Sequence, residues 1–86
     1  MEFIMNHEEK VNFLKEVLFA RQKELSMYQI NIDNYVLALE EIDKKYKNDE
    51  TLIDFKKHLE HLLDTTRIEF KKELIMINVI KKQLDE

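Results

Sequence analysis

The chain has 86 residues, of which 37% are charged and 44% hydrophobic, and it contains no cysteine, glycine or proline. This composition is too apolar for a disordered chain, and the lack of cysteine excludes disulfides, thiolate nucleophiles and zinc–thiolate sites. The formal charge of −4 is not the basic excess that favours binding to phosphates, so we expect no nucleic-acid partner.

The location of the protein is predicted from its apolar runs. The first ten residues, MEFIMNHEEK, lack the cationic start and long apolar core of a secretory signal. The longest nearly continuous apolar run, 74–80, is far shorter than the roughly 20 residues that span a bilayer. We therefore expect a soluble, cytoplasmic protein without a membrane partner. The richness in Lys, Ile, Asn and Glu is typical of low-GC bacteria and their phages.

A long amphipathic helix is predicted over residues 7–47. Asn6 followed by Glu9 resembles a capping box, which marks a helix start. Apolar residues then recur in alternating steps of three and four, the a/d pattern of a coiled coil. The a positions hold Ile4, Val11, Leu18, Leu25, Ile32, Leu39 and Tyr46, and the d positions hold Leu14, Arg21, Tyr28, Tyr35 and Ile42.

A turn is predicted at residues 48–49, followed by a second helix over residues 50–85. Asn48 can adopt the left-handed conformation that ends a helix, and Asp49 can cap the next one. The expected apolar stripe of the second helix changes phase halfway along. It consists of Leu52, Phe55, Leu59 and Leu62, and then of Leu63, Phe70, Leu74, Ile77 and Leu84.

Two long helices joined by so short a connection are expected to pack as antiparallel neighbours. The predicted fold is all-α: one helical-hairpin domain over residues 1–86, coiled-coil-like, completed to a four-helix bundle by dimerisation. The pairing brings Arg21 to the level of Glu73, where the two could form a buried ion pair. It also brings Arg67 to the level of Asn31 and Asp33.

An alternative fold breaks each long helix into shorter ones. Ser26 with Gln29, and Thr66 with Glu69, also fit capping boxes, so three or four helices stay open as an interpretation. The heptad phase is kept across Ser26, and this favours a continuous first helix.

A second apolar surface is predicted outside the seam. A two-helix hairpin buries one stripe per helix, so further apolar residues need another neighbour. We expect a homodimer or larger oligomer, with a different protein partner as one alternative. Residues 1–5 folding back over the surface are the other. The predicted interface residues are Phe13, Val17, Phe19, Ala20, Met27, Ile30, Leu37, Ile68, Ile75, Met76 and Val79.

Chemical sites are sparse in this sequence. Asp54, His58 and His61 have a spacing that could hold a divalent metal, but three ligands on a solvated face bind weakly. This is a weak candidate, and we predict no metal, no cofactor and no catalytic residue. Arg21 and Arg67 could contact an anionic ligand.

The predicted function is a non-catalytic protein–protein interaction module, a small self-associating hairpin that acts as a regulator, inhibitor or adaptor. One alternative is a bundle that binds a small ligand or a metal. Another is a structural coiled-coil scaffold or an assembly chaperone.

Overall fold

The computed structural model describes residues 5–85, which form two long α-helices packed as an antiparallel hairpin. Helix α1 spans His7–Lys45, a short 3-10 helix spans Glu50–Leu52, and helix α2 spans Ile53–Asp85. The predicted all-α hairpin is confirmed. Ile4, which was predicted to begin the seam, and the covering segment before Met5 lie outside the described residues.

The start of α1 is fixed by Asn6. Its side-chain oxygen accepts a hydrogen bond from the Glu9 backbone N–H at 2.8 Å, and its side-chain amide donates to the Glu9 carboxylate at 2.8 Å. Glu8 and Glu9 place negative charge at the positive end of the helix dipole. The predicted pairing of Asn6 with Glu9 is therefore present.

The connection between the helices is held by local hydrogen bonds. The backbone N–H of Tyr46 donates to the Ile42 carbonyl at 2.9 Å, and Asn48 adopts the predicted left-handed conformation with φ of 71°. The side chain of Asp49 then accepts hydrogen bonds from the hydroxyl and the backbone N–H of Thr51, and these bonds lower the pKa of Asp49. A chain without glycine thus makes its reversal through an asparagine.

The seam of α1 follows the predicted heptad through Ile42, and the exposed Tyr46 lies beyond it. The seam of α2 differs from the prediction because its phase never changes. The α2 seam consists of Leu52, Lys56, Leu59, Leu63, Thr66, Phe70, Glu73, Ile77, Ile80 and Leu84. Phe55 and Leu74, which were predicted to lie in it, are exposed. The prediction was wrong because polar residues occupy three seam positions, and an apolar pattern skips them.

Both helices are continuous through their polar middles, so the alternative with shorter helices is wrong. The Ser26 hydroxyl donates to the Gln22 carbonyl at 3.1 Å, within α1. Thr66, the cap predicted with Glu69, lies inside α2 as a half-buried residue, and the hydroxyl of its neighbour Thr65 donates to the carbonyls of His61 and Leu62 within the same helix. Hydroxyls that bond back to the preceding turn are satisfied inside a helix and do not cap a new one.

The hairpin is an elongated plate with a thin core. Its Cα extents are 61 × 26 × 14 Å, and its radius of gyration is 19.3 Å, against about 12 Å for a compact domain of this length. Among the described residues, the buried side chains are Ile42, Leu59, Leu63, Glu73, Ile77 and Ile80. Side chains outside the seam therefore lie on two broad faces or on two outer edges.

Candidate interaction surface

One broad face, here called the front face, is identified by the contacts of Tyr28. The half-buried Tyr28 hydroxyl donates to the Glu24 carboxylate at 2.9 Å. This hydrogen bond raises the pKa of Tyr28, and burial and the charges of Glu24, Glu69 and Glu73 raise it further. Glu24 immediately precedes the seam residue Leu25, and Glu69 immediately precedes the seam residue Phe70. In an antiparallel pair of helices these two positions flank the seam on the same side.

An apolar patch lies on the front face toward the open end of the hairpin. Residues seven apart lie on the same side of a coiled-coil helix, so Val17 shares this face with Glu24, and Met76 shares it with Glu69. Residues three or four positions away are their neighbours on the helix surface. The resulting group of exposed side chains, here called the open-end patch, consists of Phe13, Val17, Ala20, Met76 and Val79.

The opposite broad face, here called the back face, is identified by the ion pair between Asp43 and Lys56. The Lys56 ammonium lies 3.1 Å from the Asp43 carboxylate. The heptad positions that continue this side along both helices hold mainly polar residues. They include Lys15, Gln22 and Gln29 of α1, and Glu60, Arg67 and Lys81 of α2, with the apolar Val36, Ile53 and Leu74 between them. The two broad faces of the hairpin therefore differ in polarity.

Met27, seven residues after Ala20, lies on the front face toward mid-length. The outer edges carry the rest of the predicted interface residues, which are Phe19, Ile30 and Leu37 on α1, and Ile68 and Ile75 on α2. The most exposed is Phe19, at 72%. All eleven predicted residues thus lie at exposed positions outside the seam. The sequence prediction missed Ile53, and it assigned Phe55 and Leu74 to the core. Allowing polar residues in the α2 seam would have revealed all three.

A partly buried ion pair crosses the seam between the two helices. The Arg21 guanidinium donates to the Glu73 carboxylate at 3.1 Å, with side-chain exposures of 34% and 9%. This contact confirms the predicted level of the two residues. Arg67 instead lies on the exposed surface, and Asp33 accepts a hydrogen bond from Gln29 at 2.9 Å. The structure therefore pairs Arg21 across the seam and leaves Arg67 on the surface.

The weak metal candidate lies on the solvent side of α2, where Asp54, His58 and His61 are all exposed. Across residues 5–85, no three His, Cys, Asp or Glu side chains are grouped closely enough to hold a metal ion.

A shallow cavity of about 490 Å³ lies at the closed end, near the turn. Residues of both signs line it, among them Asp43, Lys47, Asp49 and Lys56. Because these charges have opposite signs and lie beside one another, they select no particular ligand.

Comparisons with known proteins give no match: no protein-family model, curated protein or solved structure resembles this chain. Neither helix of the described part of the chain combines the length and the apolar character needed to cross a membrane.

Proposed function

We propose that this chain is a non-catalytic protein–protein interaction module that self-associates through its exposed apolar surface. The observation that supports this most strongly is the solvent-accessible surface area of the hairpin. It exposes 7153 Å² to solvent, whereas a compact monomer of its mass would expose about 5,400 Å². The surplus of roughly 1,700 Å² exceeds the roughly 800 Å² that each partner buries in a standard protein interface.

The apolar character of this surplus area supports the same proposal. Among the described residues, fifteen large hydrophobic side chains are exposed and only five hydrophobic residues are buried. Contiguous apolar patches mark sites of protein interaction, and the open-end patch is the group of apolar side chains that this surface offers. Helices are stabilised mainly by packing of their apolar faces. One thin seam gives this hairpin little stabilisation from such packing. A partner would supply the missing core.

The reactive side chains of the chain support a role without catalysis. The chain has one serine and no cysteine, and the serine hydroxyl is bonded to the Gln22 carbonyl within α1. The Arg21 guanidinium is paired with Glu73, and His58 and His61 are exposed. We propose that the hairpin acts as a small regulator, inhibitor or adaptor. Its outer-edge residues would contact a target protein.

Sedimentation equilibrium between 1 and 200 µM tests the self-association. We expect a mass of twice the 10.5 kDa chain in the micromolar range. The melting temperature should also rise with protein concentration, because association stabilises the folded chain by mass action. A stably folded species of single-chain mass up to 200 µM would overturn the proposal. Growth without a limiting mass would indicate a filamentous scaffold instead.

A further inference from the structure

We infer that the front face is the surface through which two copies of the chain pair, with the open-end patch of one copy packed on that of the other. This inference rests on the proposed self-association. It adds which surface carries the contact and how the two copies are oriented.

The two broad faces differ at the open end. The front face presents Val17 and Met76 there, with Phe13, Ala20 and Val79 beside them. At the same levels the back face presents Lys15, Gln22 and Lys81, with Leu74 as its apolar member and Phe19 beside Lys15 and Gln22. Burying the back face would remove lysine ammonium groups from water, which is costly unless each finds a partner. The front face therefore has the smaller desolvation cost.

A stable pair must bury enough area, and a broad face offers more of it than an outer edge. A broad face presents two helices side by side, each about 10 Å across with its side chains, whereas an outer edge presents one helix. Both extend along the 61 Å length of the hairpin. An interface of standard size takes roughly 800 Å² from each partner. About two-thirds of a broad face supplies this area, whereas an outer edge falls short of it even over its whole length. The charged residues along both edges, such as Glu16 and Lys23 on α1 and Lys82 on α2, oppose such coverage.

Charge complementarity selects an orientation. Arg21 contacts Glu73, so Glu24 of α1 and Lys72 of α2 lie within about one turn of the same level. Within residues 5–85 each is bonded only to a neighbour on its own helix: Glu24 accepts from Tyr28, and Lys72 pairs with Glu69 at 3.0 Å. A twofold axis along the long axis of the hairpin would bring each Glu24 toward Lys72 of the second copy.

This orientation also matches the apolar groups and the helix dipoles. It sets α1 of each copy against α2 of the other, so that Val17 of one copy lies opposite Met76 of the second copy. Every helix then has antiparallel neighbours, as in an up-down-up-down four-helix bundle. In the alternative, the twofold axis is perpendicular to the long axis of the hairpin and passes through the open-end patch. Only the open halves of the two copies would then overlap, and the pair would bury less area. The pair should therefore have both turns at the same end.

Two glutamate substitutions on α1 test the face. Val17 is 43% exposed on the front face, and Phe19, only two residues later, is 72% exposed toward the back. Glutamate is a good helix former, so each variant should keep the helix, which circular dichroism checks. We expect Val17→Glu to raise the dimer dissociation constant at least 100-fold. The matched control, Phe19→Glu, should change it less than threefold. The reverse order would overturn the inference.

A distance measurement tests the orientation without disturbing the interface. The native chain has no cysteine, so Lys47→Cys accepts one nitroxide label per chain at the turn. Pulsed electron paramagnetic resonance on the dimer should give a label separation below about 35 Å. Turns at opposite ends would separate the labels by more than about 50 Å, given the length of the helices, and would overturn the inferred orientation.

The outcomes separate the two proposals. A folded monomer at 200 µM would overturn the self-association itself. A dimer that persists in Val17→Glu and dissociates in Phe19→Glu would overturn only the choice of face, and self-association would stand.

Discussion

The closed and open ends of the hairpin are held together by different kinds of interaction. At the closed end, Asn48 and Asp49 form the reversal through hydrogen bonds within a few residues, and Asp43 pairs with Lys56. At the open end, Ile77 and Ile80 are buried between the helices, while the open-end patch faces solvent. Local sequence thus specifies the closed end, whereas the open end depends on packing between distant segments and, we propose, on a second copy.

The largest expected effect comes from the buried side chains of the two halves. Ile77 is 2% exposed beneath the open-end patch, and Leu59 is 6% exposed toward the turn. Truncating either to alanine should lower the free energy of unfolding by about 3 kcal/mol, measured by urea denaturation. Only Ile77→Ala should also weaken dimerisation. Equal effects of Ile77→Ala and Leu59→Ala on the dissociation constant would contradict the proposed difference between the ends.

The next largest effect concerns the two cross-helix ion pairs. Arg21→Met leaves the Glu73 carboxylate buried without its partner and should cost about 2–3 kcal/mol of stability. The double variant Arg21→Met/Glu73→Leu should recover most of this loss. The control is Lys56→Met in the exposed pair with Asp43, which should cost less than about 1 kcal/mol. Equal losses for Arg21→Met and Lys56→Met would show that burial does not distinguish the two pairs.

A smaller effect is expected at the turn. Asn48 has a positive φ, so Asn48→Ala should cost about 1 kcal/mol, because the β-carbon of alanine disfavours the left-handed region. Asn48→Gly should match or exceed the native stability. Thermal melts of both variants, with Lys47→Ala as a control, measure the difference. A destabilised Asn48→Gly would show that the asparagine side chain, and not its backbone conformation, holds the turn.

The smallest effect is a pH dependence on the front face. The raised pKa of Tyr28 means that the fold favours the protonated phenol. Its stabilising contribution is complete below the unfolded pKa of about 10 and is lost as the pH rises through the folded value. Tyr28→Phe should remove this part of the alkaline loss of stability. Ultraviolet titration of Glu24→Gln should show the pKa of Tyr28 moving back toward its ordinary value. An unchanged titration would exclude Glu24 as the main cause.

The first helix could be predicted almost completely from the sequence, because its seam positions are apolar except for Arg21. The cap at Asn6 and the left-handed Asn48 were also predictable, because both depend on side chains within three or four residues. The heptad phase of the α2 seam was not predictable, because Lys56, Thr66 and Glu73 occupy seam positions. Their placement is decided by packing against α1, which a single-helix pattern does not contain.

The exposure of the candidate interface residues followed from the same periodicity, because a residue outside a two-helix seam reaches the surface. The division of these residues between front face, back face and edges did not follow from the periodicity. That division requires the relative rotation of the two helices, which the structure supplies through Tyr28 and through the pair of Asp43 and Lys56.

The ion pair of Arg21 and Glu73 also prevents the two helices from sliding along each other. A slip of α2 by one heptad would set Arg21 beside Thr66 or Ile80, and Glu73 beside Leu14 or Tyr28. Either slip would separate the two charges and leave the buried carboxylate unpaired, at a cost of about 2–3 kcal/mol. In a seam of leucines alone only the turn would oppose such slips, because each heptad would look like the next. The two helices therefore keep one register, and the hairpin has a fixed length.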